Sequence, residues 1–234
     1  MSEGDTTRYL FDSWQGTGEN AYTGPERTVQ LVMGGPVVEV AHWRTQYYLN
    51  IDSPFGDPQG EGWFDQGDTV LISIDSTFSE IENTRYVFDK WIGIGDGSYS
   101  GKDQKAQVIV NAPIHETAVW KKEFFLAIFS QPDTLFNFTQ NGWYTENDTI
   151  SSIFAPVEVT VNGLKYGFKN WTLDEQVNYD NPITLVMDTS HVLVANFSLD
   201  SVFVSIRTNL CQPVQIYVDS ISFWTPYEKF WKYN

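Results

Sequence analysis

A chain that copies itself at a fixed spacing is restricted to architectures in which one small unit is stacked or strung. Residues 7–51 align without a gap onto 84–128, an offset of 77 residues. The coincidences are rare residue types in fixed order: Arg8/Arg85, Tyr9/Tyr86, Phe11/Phe88, Trp14/Trp91, Tyr22/Tyr99, Gly24/Gly101, Pro36/Pro113, Ala41/Ala118 and Trp43/Trp120. A third, more diverged copy carries Tyr166, Phe168, Trp171, Met187, Ala195 and Phe197. A short hairpin also recurs, as Gly62-Trp63-Phe64 and Gly142-Trp143-Tyr144.

The longest shared stretch is Ile114–Ile128, in which Ala118, Trp120, Phe124, Leu126 and Ile128 keep one parity and no Gly, Pro, Asn or Asp interrupts. Period two sustained this long predicts an unusually long strand. Its counterparts are Val37–Ile51 and Ser190–Ile206. Further strands are expected near 69–75, 85–91 and 106–111, separated by the turn-rich 54–67 stretch and the glycine-rich 93–101 loop. Helical periodicity is missing, and Thr77–Arg85 comes nearest to one short helical turn. The predicted fold class is therefore all-β: tandem small modules of about five strands each in an elongated array. The expected boundaries are 1–44 (the C-terminal half of a repeat), 45–121 (a full repeat), 122–199 (a diverged full repeat) and 200–234 (a partial module). The two partial pieces together approach one repeat, so the ends of two copies could complete each other.

Composition narrows the function. The formal net charge is −16, with 30 Asp and Glu against 14 Lys and Arg. Phosphate-binding faces need clusters of Lys and Arg, so nucleic acid is excluded as a partner, and anionic membrane surfaces are equally disfavoured. Apolar runs of 18 residues do not occur, so membrane insertion is not expected of this stretch. The single cysteine, Cys211, permits no intrachain disulfide, and stability must come from packing. The opening MSEGDTTRY is acidic and polar, unlike a signal peptide, so the signal of an exported protein would lie outside this sequence.

The patterns YYLNIDSPFG, GEGW and GDTV, then RYVFDKWIGIG, then AVW resemble the divergent internalin-type B-repeat of bacterial and archaeal surface proteins over residues 7–199. The tail resembles a PEGA-like β module through Tyr217-Val218-Asp219 and Thr225-Pro226, with Ser220 where a Gly is expected in the turn. The resemblance implies an exported, all-β stalk or adhesion segment of a much larger protein, with no catalytic residues to carry over.

The chemistry-bearing residues agree with a non-enzymatic role. His42, His115 and His191 have no plausible Ser or Cys nucleophile beside them and read as surface or strand-edge residues. Gly93-Ile94-Gly95-Asp96-Gly97 lacks the strand-to-helix setting of a phosphate loop. Asp12, Glu19 and Glu26 recur seven apart as Asp89, Asp96 and Asp103, and such loop carboxylates are candidate ligands for Ca²⁺. A solvated acidic loop is the competing reading, and the third copy has Lys169 in place of Asp89. Trp14, Trp91 and Trp171 are the expected core, since few other residues in so small a module bury as much area. Trp63 and Trp143, on the hairpins, are candidate stacking platforms for polysaccharide. Asn137, Asn147, Asn170 and Asn196 head N-x-S/T sequons and are candidate glycosylation sites. Asn196 alternates with Ala195 and Phe197 and is expected to face outward.

The resulting expectation is a non-catalytic extracellular stalk at the cell surface, whose partners are neighbouring repeats or copies of itself, with an end-to-end arrangement as one option. The alternatives are an adhesion module that binds polysaccharide through exposed aromatics, and an accessory segment of a secreted enzyme.

Overall fold

The computed structural model describes residues 6–75, 77–218 and 220–233, and these are all-β. In chain order the strands are β1 Thr7–Gly18, β2 Val37–Asp52, β3 Gly62–Asp65, β4 Thr69–Ser73, β5 Thr77–Ile81, β6 Thr84–Ile94, β7 Lys105–Ile109, β8 Ile114–Gln131 and β9 Gly142–Thr145. They continue as β10 Thr149–Ile153, β11 Glu158–Val161, β12 Leu164–Leu173, β13 Gln176–Asn178, β14 Ile183–Val186, β15 His191–Ile206, β16 Gln215–Val218, β17 Ile221–Trp224 and β18 Tyr227–Lys232. Two compact units result: Met1–Glu80 with Arg85–Lys121, and Ile81–Thr84 with Lys122–Asn234.

The three long strands β2, β8 and β15 carry the pattern that the alternation predicts. In β8 every even-numbered position from Ile114 to Ser130 is buried, except Trp120 and Lys122, which are half-buried. The phase therefore passes through Lys121-Lys122 without a break. Successive long strands pair in parallel at their ends only. Leu49, Asn50, Ile51 and Asp52 of β2 lie beside Ile114, His115, Glu116 and Thr117 of β8. In the second unit, residues 126–131 of β8 lie beside 191–196 of β15.

In the first and third copies a shorter strand runs antiparallel to a long one and carries a bulge. Phe11 faces Trp43 and Ser13 faces His42, which leaves Asp12 unpaired in β1. Phe168 faces Phe197 and Asn170 faces Asn196, which leaves Lys169 unpaired in β12. The bulge solves a spacing problem. Phe and Trp stand three residues apart, so a regular strand would turn them to opposite faces. One extra residue returns both to the same face. The ring centroids then lie 5.5 Å apart for Phe11/Trp14, 5.5 Å for Phe88/Trp91 and 5.6 Å for Phe168/Trp171. Trp14 faces Ala41 and Trp171 faces Ala195 across the ladder, where a small partner leaves room for the indole.

Trp91 and Trp171 are fully buried, each in the middle of one hydrophobic cluster. A second, two-stranded sheet closes each cluster: β4 with β7 in the first unit, β10 with β14 in the second. Trp14 is only half-buried.

Two expectations need correction. Thr77–Arg85 forms no helical turn: β5 and β6 are a hairpin turning at Glu82 (φ 49°) and Asn83 (φ 62°). Two successive left-handed residues are what a tight hairpin with the natural strand twist requires. The same device recurs at Asn162-Gly163 and Asp174-Glu175. A repeat also holds more than five strands, because β3 and β5 join those expected. In the tail, β16 and β17 form a hairpin. Of its expected turn, Asp219 lies outside the described residues, and Ser220 is left-handed at φ 66°.

Candidate functional site

The paired acidic positions separate into distinct structural roles. Asp12 stands at the bulge of β1 and Asp89 at the matching position of β6, and each meets a cation of the neighbouring long strand: Arg44 at 3.3 Å and Lys121 at 2.8 Å. The Lys121 hydrogen bond holds the Asp89 carboxyl below the ordinary range. The third copy changes both partners together, to Lys169 and Ser198. Asp103 accepts a hydrogen bond from the Tyr99 hydroxyl at 2.9 Å, and the backbone N–H of Glu26 donates to Tyr22 Oη at 3.2 Å. Glu19 lies beside Gly34, and Asp96 stands at the tip of the loop between β6 and β7. Among the described residues no three His, Cys, Asp or Glu side chains come together in a way that could hold a metal ion.

An acidic residue that spacing did not single out is the one most deeply placed. Glu116 is fully buried in β8, where Oε1 accepts the Tyr99 N–H at 2.7 Å and Oε2 has no hydrogen-bond partner. Burial pushes its carboxyl up. Glu39 repeats the arrangement with Tyr22 N–H at 2.8 Å. A side chain at Gly93 would collide with the backbone carbonyl oxygen of Tyr99 and with both carboxylate oxygens of Glu116, at 2.7 and 2.8 Å, which explains the glycine there. The role is to fix the loop after β6 against β8. The third copy places the fully buried Leu193 at this position.

Trp63 and Trp143 are half-buried. Trp63 packs edge-on against Tyr48 at 5.3 Å, and the Arg8 guanidinium covers its ring at 4.4 Å. Trp143 packs edge-on against Phe125 at 5.2 Å. The pairing of β3 with β2 and of β9 with β8 sets both contacts. Of the sequon residues, Asn137 and Asn147 are exposed. Asn170 and Asn196 are half-buried and face each other across β12 and β15, and Asn196 Nδ2 donates to Asn170 Oδ1 and to Thr172 Oγ1, both at 2.8 Å. Asn196 thus lies on the face opposite to the buried Ala195 and Phe197, with its amide engaged along the sheet.

The histidines differ from one another. His42 meets Gln15 at 2.9 Å, and His115 lies between Asn50 at 3.0 Å and Asp52 at 3.2 Å. His191 opens β15, as its reading as a surface or strand-edge residue allows, but it is buried rather than at the surface. Its Nδ1 meets Asp174 Oδ2, and its Nε2 meets Asp188 Oδ1 and the Val186 carbonyl, each at 3.1 Å. Asp174 also accepts the Val192 N–H at 2.8 Å, so the imidazole ties the β12–β13 turn to the start of β15.

Comparison with protein-family models, with curated proteins and with solved structures gives no match to this chain.

Proposed function

We propose that this chain is a non-catalytic structural spacer within a cell-surface or secreted protein, and that its long strands carry tension. The observation behind this reading is the staggered parallel overlap of β2 with β8 and of β8 with β15. Tension drawing β2 toward Val37 and β8 away from Ile114 loads the hydrogen bonds of their overlap in shear. Bonds loaded in shear share the force and must yield together, whereas bonds at a peeling end yield one after another. Burial of alternate side chains on β8 adds resistance to sliding, because a one-residue slip would turn Leu126 and Ile128 out of the core. The net charge of −16 favours mutual repulsion between neighbouring copies. The half-buried, covered Trp63 weighs against the polysaccharide-platform alternative.

The elongated arrangement expected from the sequence belongs to this proposal, and solution scattering tests it. A compact domain of 234 residues has a radius of gyration of about 17 Å. A spacer requires a value clearly above that, and a value at about 17 Å contradicts it.

A further inference from the structure

The first and second copies of the repeat bury the same residues to different extents. In the second copy Phe88 is 8% exposed and Trp91 and Ala118 are buried at 0% and 2%, whereas Phe11, Trp14 and Ala41 are only half-buried. Tyr9 is 66% exposed and Trp43 57%. What covers the second copy is known. Phe55 stacks on Tyr86 at 4.1 Å and meets the edge of Trp120 at 5.8 Å. Ser53 Oγ accepts the Trp120 indole N–H at 3.0 Å. Ile72 and Ile74 close the cluster, carried by β4 and the residue following it. All of these come from residues 53–75, the first half of the repeat.

The backbone tells the same story. β7 is a strand because β4 pairs with it from Thr69↔Ile109 to Ser73↔Lys105. Its counterpart, residues 28–32, forms no strand. Val110 is fully buried while its counterpart Met33 is 68% exposed. Tyr9, Phe11, Trp14, Ala41 and Trp43, with Arg27 at the rim, instead line an open groove of about 380 Å³.

We propose that this face is an acceptor for the first half of another repeat of the same kind. The incoming segment has the chemistry of residues 53–75. It lays an apolar-alternating strand antiparallel to residues 28–32, an aromatic ring on Tyr9 against Trp43, and a hydroxyl on the Trp43 indole N–H. Strand addition supplies main-chain hydrogen bonds, and the groove selects the side chains. The occupant is committed by the second copy, which shows the same residue types in the same order covered in this way. The inference holds whether or not the chain is a spacer.

The test joins a second copy of residues 45–83 directly ahead of Thr7 in the full chain, which reproduces the natural 77-residue spacing. Amide exchange is followed by mass spectrometry. Exchange across residues 28–33 should slow at least tenfold, to the level of 105–110, and Trp43 should lose its accessibility to acrylamide. A control with Phe55→Ala and Ile72→Asp only in the added copy should restore the exchange of the original chain. Unchanged exchange in the extended protein overturns the proposal, as does slowing that survives in the control.

Discussion

Replacing Trp91 with alanine removes an indole that is fully buried against Phe88, with ring centroids 5.5 Å apart. A tryptophan buries roughly 150–250 Å², which at about 25 cal/mol per Å² corresponds to roughly 4–6 kcal/mol as an upper bound. Partial collapse of the site lowers the expected cost to about 3–5 kcal/mol. The repeat supplies its own control. Trp14 occupies the same place in the motif, with a phenylalanine ring at the same 5.5 Å, but it is half-buried. Trp14→Ala should therefore cost clearly less than Trp91→Ala, while Trp171→Ala, also fully buried, should match Trp91→Ala in the second unit. Urea unfolding followed by far-UV circular dichroism measures each loss. Equal losses for Trp14→Ala and Trp91→Ala would refute the reasoning, because burial rather than motif identity is what sets the magnitude. An unchanged unfolding curve for Trp91→Ala would refute the core assignment itself.

Other expectations follow from the site geometry. The Glu116 carboxyl is raised by burial, so the folded state holds its proton more tightly than the unfolded state does. Its contribution to stability is then lost as pH rises from the ordinary carboxylate range through the raised value. Glu116→Gln keeps an acceptor for the Tyr99 N–H, and its stability relative to the parent should improve as pH rises; a pH-independent difference would contradict this. Asp12 and Asp89 are engaged with Arg44 and Lys121, so thermal melts in Ca²⁺ and in EDTA should coincide, and a calcium-dependent rise would reinstate a metal site. Expressed in a glycosylating host, the chain should carry sugar on the exposed Asn137 and Asn147 and not on the paired Asn170 and Asn196, as peptide mapping would show.

The long strands were legible because alternation is a strong signal and Ile114–Ile128 contains nothing that breaks it. The bulge left a trace as well: Tyr9 and Phe11 keep one parity, and Trp14 violates it. That violation makes sense only with an extra residue between Phe11 and Trp14, and the pairing of β1 with β2 reveals that Asp12 is the one. The β5–β6 hairpin was hidden because Glu82-Asn83 is an uncommon pair for two left-handed positions, where Asn-Gly would have announced the turn. The burial of His191 was hidden for another reason. Asp174 and Asp188 reach it from a turn and a loop, and no local spacing encodes a carboxylate 17 residues away. The half-covered state of Trp63 likewise depends on Arg8, which arrives from β1. The exposed face around Trp14 was beyond reach because that copy keeps the same aromatic, alanine and glycine positions as the covered one. What differs is the presence of β4 beside it.

The tension-bearing role is tested most directly by pulling single molecules in two geometries, in a Cys211→Ser background with cysteine handles placed as needed. Handles at Val37 and Lys121 load the overlap of β2 with β8 in shear, and handles at Asp52 and Thr117, which sit at one end of the same overlap, peel it apart. The account predicts a rupture force several-fold higher in the first geometry than in the second. Equal forces in the two would contradict it.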